Sequence, residues 1–228
     1  MTAENLSSVA GAMAEKTRAR MLVALMDGRA WTARELARHA CVAASTASEH
    51  LHRLVDSGLV IEHRQGRHRY IRIAGTRVAA ALESVAALGN QPDTPVRSLR
   101  ESTIKSQLGR ARTCYDHLAG ALGIAITEAL VQQRILVDES LELTSDGMAW
   151  FSETLQSPFL PGRRPATRAC LDWTERRLHL AGAAGAHILT VFNERQWVRP
   201  KRSSRALIVT PAGSRTLKRL LQIEFASG

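Results

Sequence analysis

The chain has 228 residues, 45% of them hydrophobic, enough for one large domain or two small ones around a substantial core. Its 31 Lys and Arg against 21 Asp and Glu leave a formal charge of +10, which favours a polyanionic partner. No apolar run approaches a membrane span, the opening residues do not resemble a secretory signal, and the three cysteines include no CxxC pair. A membrane protein and a disulfide framework are therefore excluded, and a reduced, cytoplasmic setting is expected.

In chain order, "TRARMLVALMDG" places Met21, Leu22, Leu25 and Met26 at helical offsets and closes on Gly28, so a helix is expected over about 17–26. "TARE" sets Thr32 three residues before Glu35, the capping-box spacing, and opens a short helix to about His39. A third helix, about Ser45 to Ser57, turns Ala47, Leu51, Leu54 and Val55 to one face and stops at Gly58. At about 100° per residue, Ser45, Thr46, Glu49, His52 and Arg53 point away from that face, with Ser48 and His50 on its flanks.

"LVIEHRQGRHRYIRI" reads as two strands joined at Gln65 and Gly66, with His63, Arg64, Arg67, His68 and Arg69 making the ribbon tip basic. Capped helix, turn, small-polar helix, Gly and basic ribbon is the order of a winged helix-turn-helix. Its third helix enters the major groove while the ribbon straddles the adjacent backbone. A solvated helix face would explain the third helix alone, but not the ordered series.

Together "TRARMLVALMDG", "TARELA", "STASEHLHRLVDSGLV" and "RQGRHRYIRI" resemble the ArsR/SmtB group of bacterial winged-helix transcriptional regulators, over about Ala10 to Leu88. The resemblance implies a homodimeric repressor that releases double-stranded, palindromic operator DNA when an effector binds. It also implies that "AENLSSVAGAMAEK" and "GTRVAAALESVAAL" pair across the two-fold axis. The thiolate pair that many members carry around the first helix of the reading motif is missing, because Cys41 stands alone in "ELARHACV". The Asp/His set that others carry on the last dimer helix is missing too. Cys41 is expected to pack as a small apolar residue.

"GNQPDTPVRS" reads as a linker, giving expected domains of 1–90 and 99–228 separated by 91–98. Beyond it, "RTCYDHLAGALG" from Arg112 is echoed by "RACLD" from Arg168 and "HLAGAAG" from His179. Each copy leads through a helix into a strand pair and a Thr-x-x-Gly helix start. The expected fold is mainly α with short β-hairpins, a winged helix followed by two degenerate winged-helix-like repeats.

Cys114 lines up with Leu118, Leu122, Ala125 and Ala129 as on an apolar helix stripe, which suggests a packed, inert thiol. Cys114, His117, Cys170 and His179 nevertheless form a Cys2His2 set that suits a soft divalent metal ion if the copies converge. Their unequal spacing, 3 residues in one copy and 9 in the other, argues against that. Trp173 with Arg176, Arg177 and His179 is a further candidate, for an anionic or aromatic ligand. An enzyme using Cys114, His117 and Asp116 is disfavoured, because one helix would point them apart. The alternative of a non-specific architectural or RNA-binding protein that uses only charge lacks the interleaved aromatics of an RNA-reading sheet, at an aromatic content of 4%.

Overall fold

A computed structural model describes residues 2–66, 68–88, 99–202 and 204–228. The expected linker at 91–98 and Arg67 of the wing lie outside the described residues. The chain divides into two compact units, Met1–Leu82 and Glu83–Gly228, so the division falls upstream of 91–98.

The first unit contains α1 (Ala3–Ala14), α2 (Lys16–Leu25), β1 (Trp31–Thr32), α3 (Ala33–Ala40), α4 (Ala44–Asp56), β2 (Val60–Gln65) and β3 (His68–Ile73), and the start of α5 (Thr76–Ala87). The capping box forms as the spacing requires: Glu35 N–H donates to Thr32 Oγ1, and Thr32 N–H donates to Glu35 Oε2. Gly58 follows α4 with φ +69°, a left-handed conformation that ends the helix and turns the chain into the wing. In the wing, β2 and β3 pair antiparallel from Val60↔Ile73 to Gln65↔His68. The two-residue strand β1, too short to leave a periodic signal, adds to β3 through Trp31↔Ile71. Met21, Leu25, Leu36, Leu51, Leu54 and Ile71 close the core beneath this sheet.

Cys41 does not pack into the motif. It is exposed and caps the C-terminus of α3 at φ +59°, a position set by the turn and not by apolar burial.

The second unit continues through α6 (Leu99–Arg110), β4 (Arg112–Cys114), β5 (His117–Ala119), α7 (Gly120–Gln132) and α8 (Ser145–Glu153). It ends with β6 (Arg168–Leu171), β7 (Leu178–Ala181), α9 (Gly182–Glu194), β8 (Val198–Pro200), β9 (Leu207–Val209) and α10 (Pro211–Leu221). Hairpin then helix occurs twice, at β4–β5–α7 and β6–β7–α9. The first helix is followed by a Leu136–Leu143 bridge and the second by the β8–β9 pair. Thr144 and Thr210 cap α8 and α10 by accepting from the N–H groups of Gly147 and Gly213. The core joins Leu122, Leu130, Phe151, Leu155, Ile188, Phe192 and Leu217.

Cys114 therefore sits on β4 and not on a helix stripe. Tyr115, at φ +61°, reverses the chain immediately after it, and the helix starts only at Gly120. The small residues of the echoed "HLAGAxG" have a steric cause. A Cβ on Gly185 would lie 2.6 Å from the Leu180 carbonyl oxygen and 3.2 Å from His117 Cβ. Gly185→Ala is expected to cost about 1–3 kcal/mol through overpacking, read by denaturant unfolding. An unchanged midpoint would show that the hairpin yields without strain.

Candidate functional site

In the first unit, α4 buries Ala47, Leu51 and Leu54 and leaves Ser45, Glu49, His52 and Arg53 exposed, with Thr46 partly covered. On the wing, His63, Arg64 and His68 are exposed. Arg64 Nε donates to Glu62 Oε1 at 3.0 Å, from a side chain still 76% accessible.

Other residues expected at this surface are engaged inside the unit. Arg69 donates to Ser48 Oγ at 3.1 Å and to Glu62 Oε2 at 2.6 Å, bracing the wing against α4. The Arg69 hydrogen bond, working against burial and joined by Arg64, holds the Glu62 carboxyl below its usual range. His50 Nδ1 lies 3.3 Å from Arg18 Nη1 and 3.5 Å from Glu15 Oε2.

Arg18 is itself buried and was not singled out in the sequence. It donates from Nε to the Ala12 carbonyl and from Nη2 to the Gly11 carbonyl, so it fastens the α1–α2 corner to α4. Burial alone would raise the Glu15 pKa, but the backbone N–H groups of Thr17 and Arg18, the Thr17 hydroxyl and the neighbouring His50 outweigh it. They hold the group at about 2 against an ordinary 4.5.

In the second unit, Cys114, His117, Cys170 and His179 converge, with one ligand atom from each lying within 4.8 Å of all the others. The hairpins explain how unequal spacing permits this. Cys114 is directly opposite His117 across β4–β5, and Cys170 is directly opposite His179 across β6–β7. The additional residues of the second copy are accommodated in the loop and leave the register of the pair unchanged. His117 Nε2 and His179 Nε2 are 3.1 Å apart, and the two Sγ atoms are 3.9 Å apart. Cys114, His117 and His179 are buried, and Cys170 is partly so.

Carboxylates surround the cluster. Asp116 Oδ1 is 3.3 Å from His117 Nδ1, and Asp172 Oδ2 is 3.7 Å from His179 Nδ1. Glu83 Oε2 accepts from the Cys114 thiol at 2.8 Å, while Glu83 Oε1 accepts from Trp173 Nε1 at 3.2 Å and Arg205 at 2.8 Å. The contact between the two sulfurs drives their pKa values apart. Cys170 falls below the usual thiol range, because Cys114 hydrogen-bonds to it and His117 and His179 adjoin it. Cys114 rises, held by that same contact, by burial and by the Glu83 carboxylate.

Trp173 thus belongs to the surroundings of this cluster, with Arg112 stacked 5.1 Å from its ring. Arg177 pairs with Glu128, and Arg176 is exposed in the hairpin loop. Sequence reading did not find Glu83, which lies in an alanine-rich helix. Its only sequence signal was a lone acid among apolar neighbours.

The first unit defines the class, a winged helix-turn-helix DNA-binding protein. A family model described as a helix-turn-helix domain matches residues 13–63. Across 224 residues the chain is 37% identical to YdfF, an uncharacterized HTH-type transcriptional regulator of Bacillus subtilis strain 168. The match covers 96% of this chain and 98% of that protein. It is also 35% identical over 89 residues to the HTH-type transcriptional regulator CmtR of Mycobacterium tuberculosis strain H37Rv, covering 39% of this chain and 75% of CmtR. An NMR structure of CmtR, described as a cadmium metal-sensor, aligns with 41% of this chain and 99% of its own at 33% identity, with a TM-score of 0.32. The chain belongs to the HTH-type transcriptional regulators of ArsR/SmtB type. It is a regulator and not an enzyme. No helix among the described residues is long and apolar enough to cross a membrane.

The depressed Glu15 pKa contributes stability that is complete above about 4.5 and lost as pH falls through about 2. Glu15→Gln is expected to be less stable than wild type at neutral pH, with the difference shrinking across that window. Denaturant unfolding at a series of pH values reads this. A difference independent of pH would remove the carboxylate charge as the cause.

Proposed function

We propose that the chain is a cytoplasmic, homodimeric repressor that binds a palindromic operator and releases it when an effector binds the second unit. The observation that carries the DNA reading is the outer face of α4. Ser45, Thr46, Glu49 and Arg53 stand in or near solvent above a buried Ala47, Leu51 and Leu54, beside the exposed basic wing. In this reading Ser45, Glu49 and Arg53 approach base edges, and His63, Arg64, Arg67 and His68 grip the flanking backbone. Ser48 and Arg69 set the angle between helix and wing, and His50 ties the helix to the α1–α2 corner, through the bonds described above.

Dimer pairing is supported by apolar side chains left in solvent, Leu6 on α1 and Val85 on α5. The effector classes compatible with the chain are a soft divalent metal ion, a thiol-reactive agent and a small organic molecule. The Cys/His convergence favours the metal.

Selection of operator sequences followed by footprinting should show protection of a palindrome whose half-sites lie about one helical turn, or a multiple of it, apart. Arg53→Ala should weaken operator binding by about 1–3 kcal/mol and relax sequence preference. Arg64→Ala should weaken all sequences alike and lower the salt slope by about 1. Uniform, sequence-blind footprints would overturn the reading.

A further inference from the structure

We propose that Cys114, His117, Cys170 and His179 form a closed, four-coordinate site for a soft divalent cation of the zinc class, each hairpin supplying one thiolate and one imidazole. The proposal takes up the effector reading above and names the ligand.

Three observations carry it. First, the distances suit a tetrahedron. Bonds of about 2.0–2.1 Å to nitrogen and about 2.3 Å to sulfur imply edges of about 3.3 Å between nitrogens and about 3.8 Å between sulfurs. The observed edges are 3.1 and 3.9 Å. The remaining sulfur-to-nitrogen separations, none above 4.8 Å, close modestly on an ion.

Second, equivalent atoms face each other, His117 against His179 and Cys114 against Cys170, as a local two-fold relation between the hairpins would place them. Apolar packing has no need of that correspondence.

Third, each imidazole has a carboxylate behind it, Asp116 for His117 and Asp172 for His179. A carboxylate at Nδ1 selects the tautomer that leaves Nε2 free to bind a metal, and it orients the ring. His179 Nδ1 is fully buried and has no hydrogen-bond partner among the described residues. A metal at Nε2 fixes the proton on Nδ1, where Asp172, now 3.7 Å away, accepts it once the gap closes by about half an ångström or more.

The donor set decides the cation class. Two sulfurs and two imidazoles select zinc or cadmium over magnesium or calcium, which take oxygen ligands. Four protein ligands leave no open position, so the site holds its ion without presenting it to a substrate. On binding, both thiols coordinate as thiolates, their protons leave to solvent, and the imidazoles bind as neutral rings. Asp116 and Asp172 are positioning residues.

The test uses the reduced full-length chain and Co2+ as a spectroscopic probe, with no DNA present. The expected result is thiolate-to-cobalt charge-transfer absorption with tetrahedral d–d bands, saturating at one ion per chain and displaced by Zn2+. Cys114→Ser with Cys170→Ser should abolish the charge-transfer band. Asp116→Asn should keep it while weakening affinity about 10–100-fold.

A second measurement on the wild type avoids dependence on the folding of variants. Zn2+ should protect Cys114 and Cys170 from alkylation and leave the exposed Cys41 reactive. Octahedral spectra without charge transfer, or thiols equally reactive with and without Zn2+, would overturn the site. So would loss of operator binding on oxidation, with a Cys114–Cys170 disulfide formed and no metal bound at any concentration. That result would leave the effector-release reading standing. Stoichiometric metal binding with operator affinity unchanged would confirm the site and overturn the effector-release reading instead.

Discussion

The second unit is organised around one buried ion pair, Arg112 with Asp172. Arg112 Nη2 is 2.9 Å from Asp172 Oδ1, and both side chains are fully buried. A buried pair is tolerable only when its remaining donors and acceptors are satisfied, since desolvating both charges costs several kcal/mol per ion. Here Arg112 Nη1 also donates to the Leu108 carbonyl and to Thr174 Oγ1. Asp172 accepts from Gly120 N–H, Thr174 N–H and the Thr174 hydroxyl. Burial opposes ionisation of Asp172, but the Arg112 charge and these donors prevail and hold its carboxyl well below the usual range. One carboxylate thus fastens its own hairpin loop, the opposite hairpin and the start of α7. Arg112 stands two residues before Cys114 and Asp172 two residues after Cys170, so the pair also fixes how the two cysteines meet.

The first unit uses a buried arginine differently. Arg18 is not matched by a buried carboxylate; its guanidinium group is taken up by the Ala12 and Gly11 carbonyls, with His50 and the half-exposed Glu15 at its edge. These bonds join the α1–α2 corner to α4, and Arg69 joins α4 to the wing. The middle of α4 is therefore braced from two directions, by Arg69 at Ser48 and by Arg18 at His50, while its outer face stays exposed.

Most of the first unit was legible because its signals are local. The Thr32/Glu35 box, Gly58 and the apolar spacing of α4 each act within a few residues, and each formed where its spacing placed it; Gln65, expected in the turn, instead ends β2 opposite His68. The strand β1 escaped notice because two residues carry no period. His50, Ser48 and Arg69 looked like surface residues because their partners are remote in sequence. In the second unit the same limitation misplaced Cys114. Its apparent alignment with Leu118 and Leu122 is a coincidence of helical offsets across what proves to be a hairpin. Residue spacing also argued against the Cys/His convergence, yet spacing measures loop length whereas strand register sets proximity. The echoed motif was the better guide, since matching residues in matching hairpins can meet whatever separates them along the chain.

The polar cluster is also informative as a cost. A fold that needed only stability could fill this volume with apolar side chains, often with no loss. Instead the chain gathers Glu83, Arg112, Cys114, His117, Asp172 and His179 into its interior and leaves His179 Nδ1 without a hydrogen-bond partner among the described residues. Unpaired buried groups are rare, and each calls for an explanation. Packing accounts for the glycines and the helices around the cluster, but it does not account for two imidazoles set nitrogen to nitrogen with a carboxylate behind each. The proposed cation, bound by both Nε2 atoms and both sulfurs, would. It would give both Nε2 lone pairs a partner and direct both Nδ1 protons to the carboxylates, so that the imidazoles' burial no longer leaves a ring nitrogen unsatisfied.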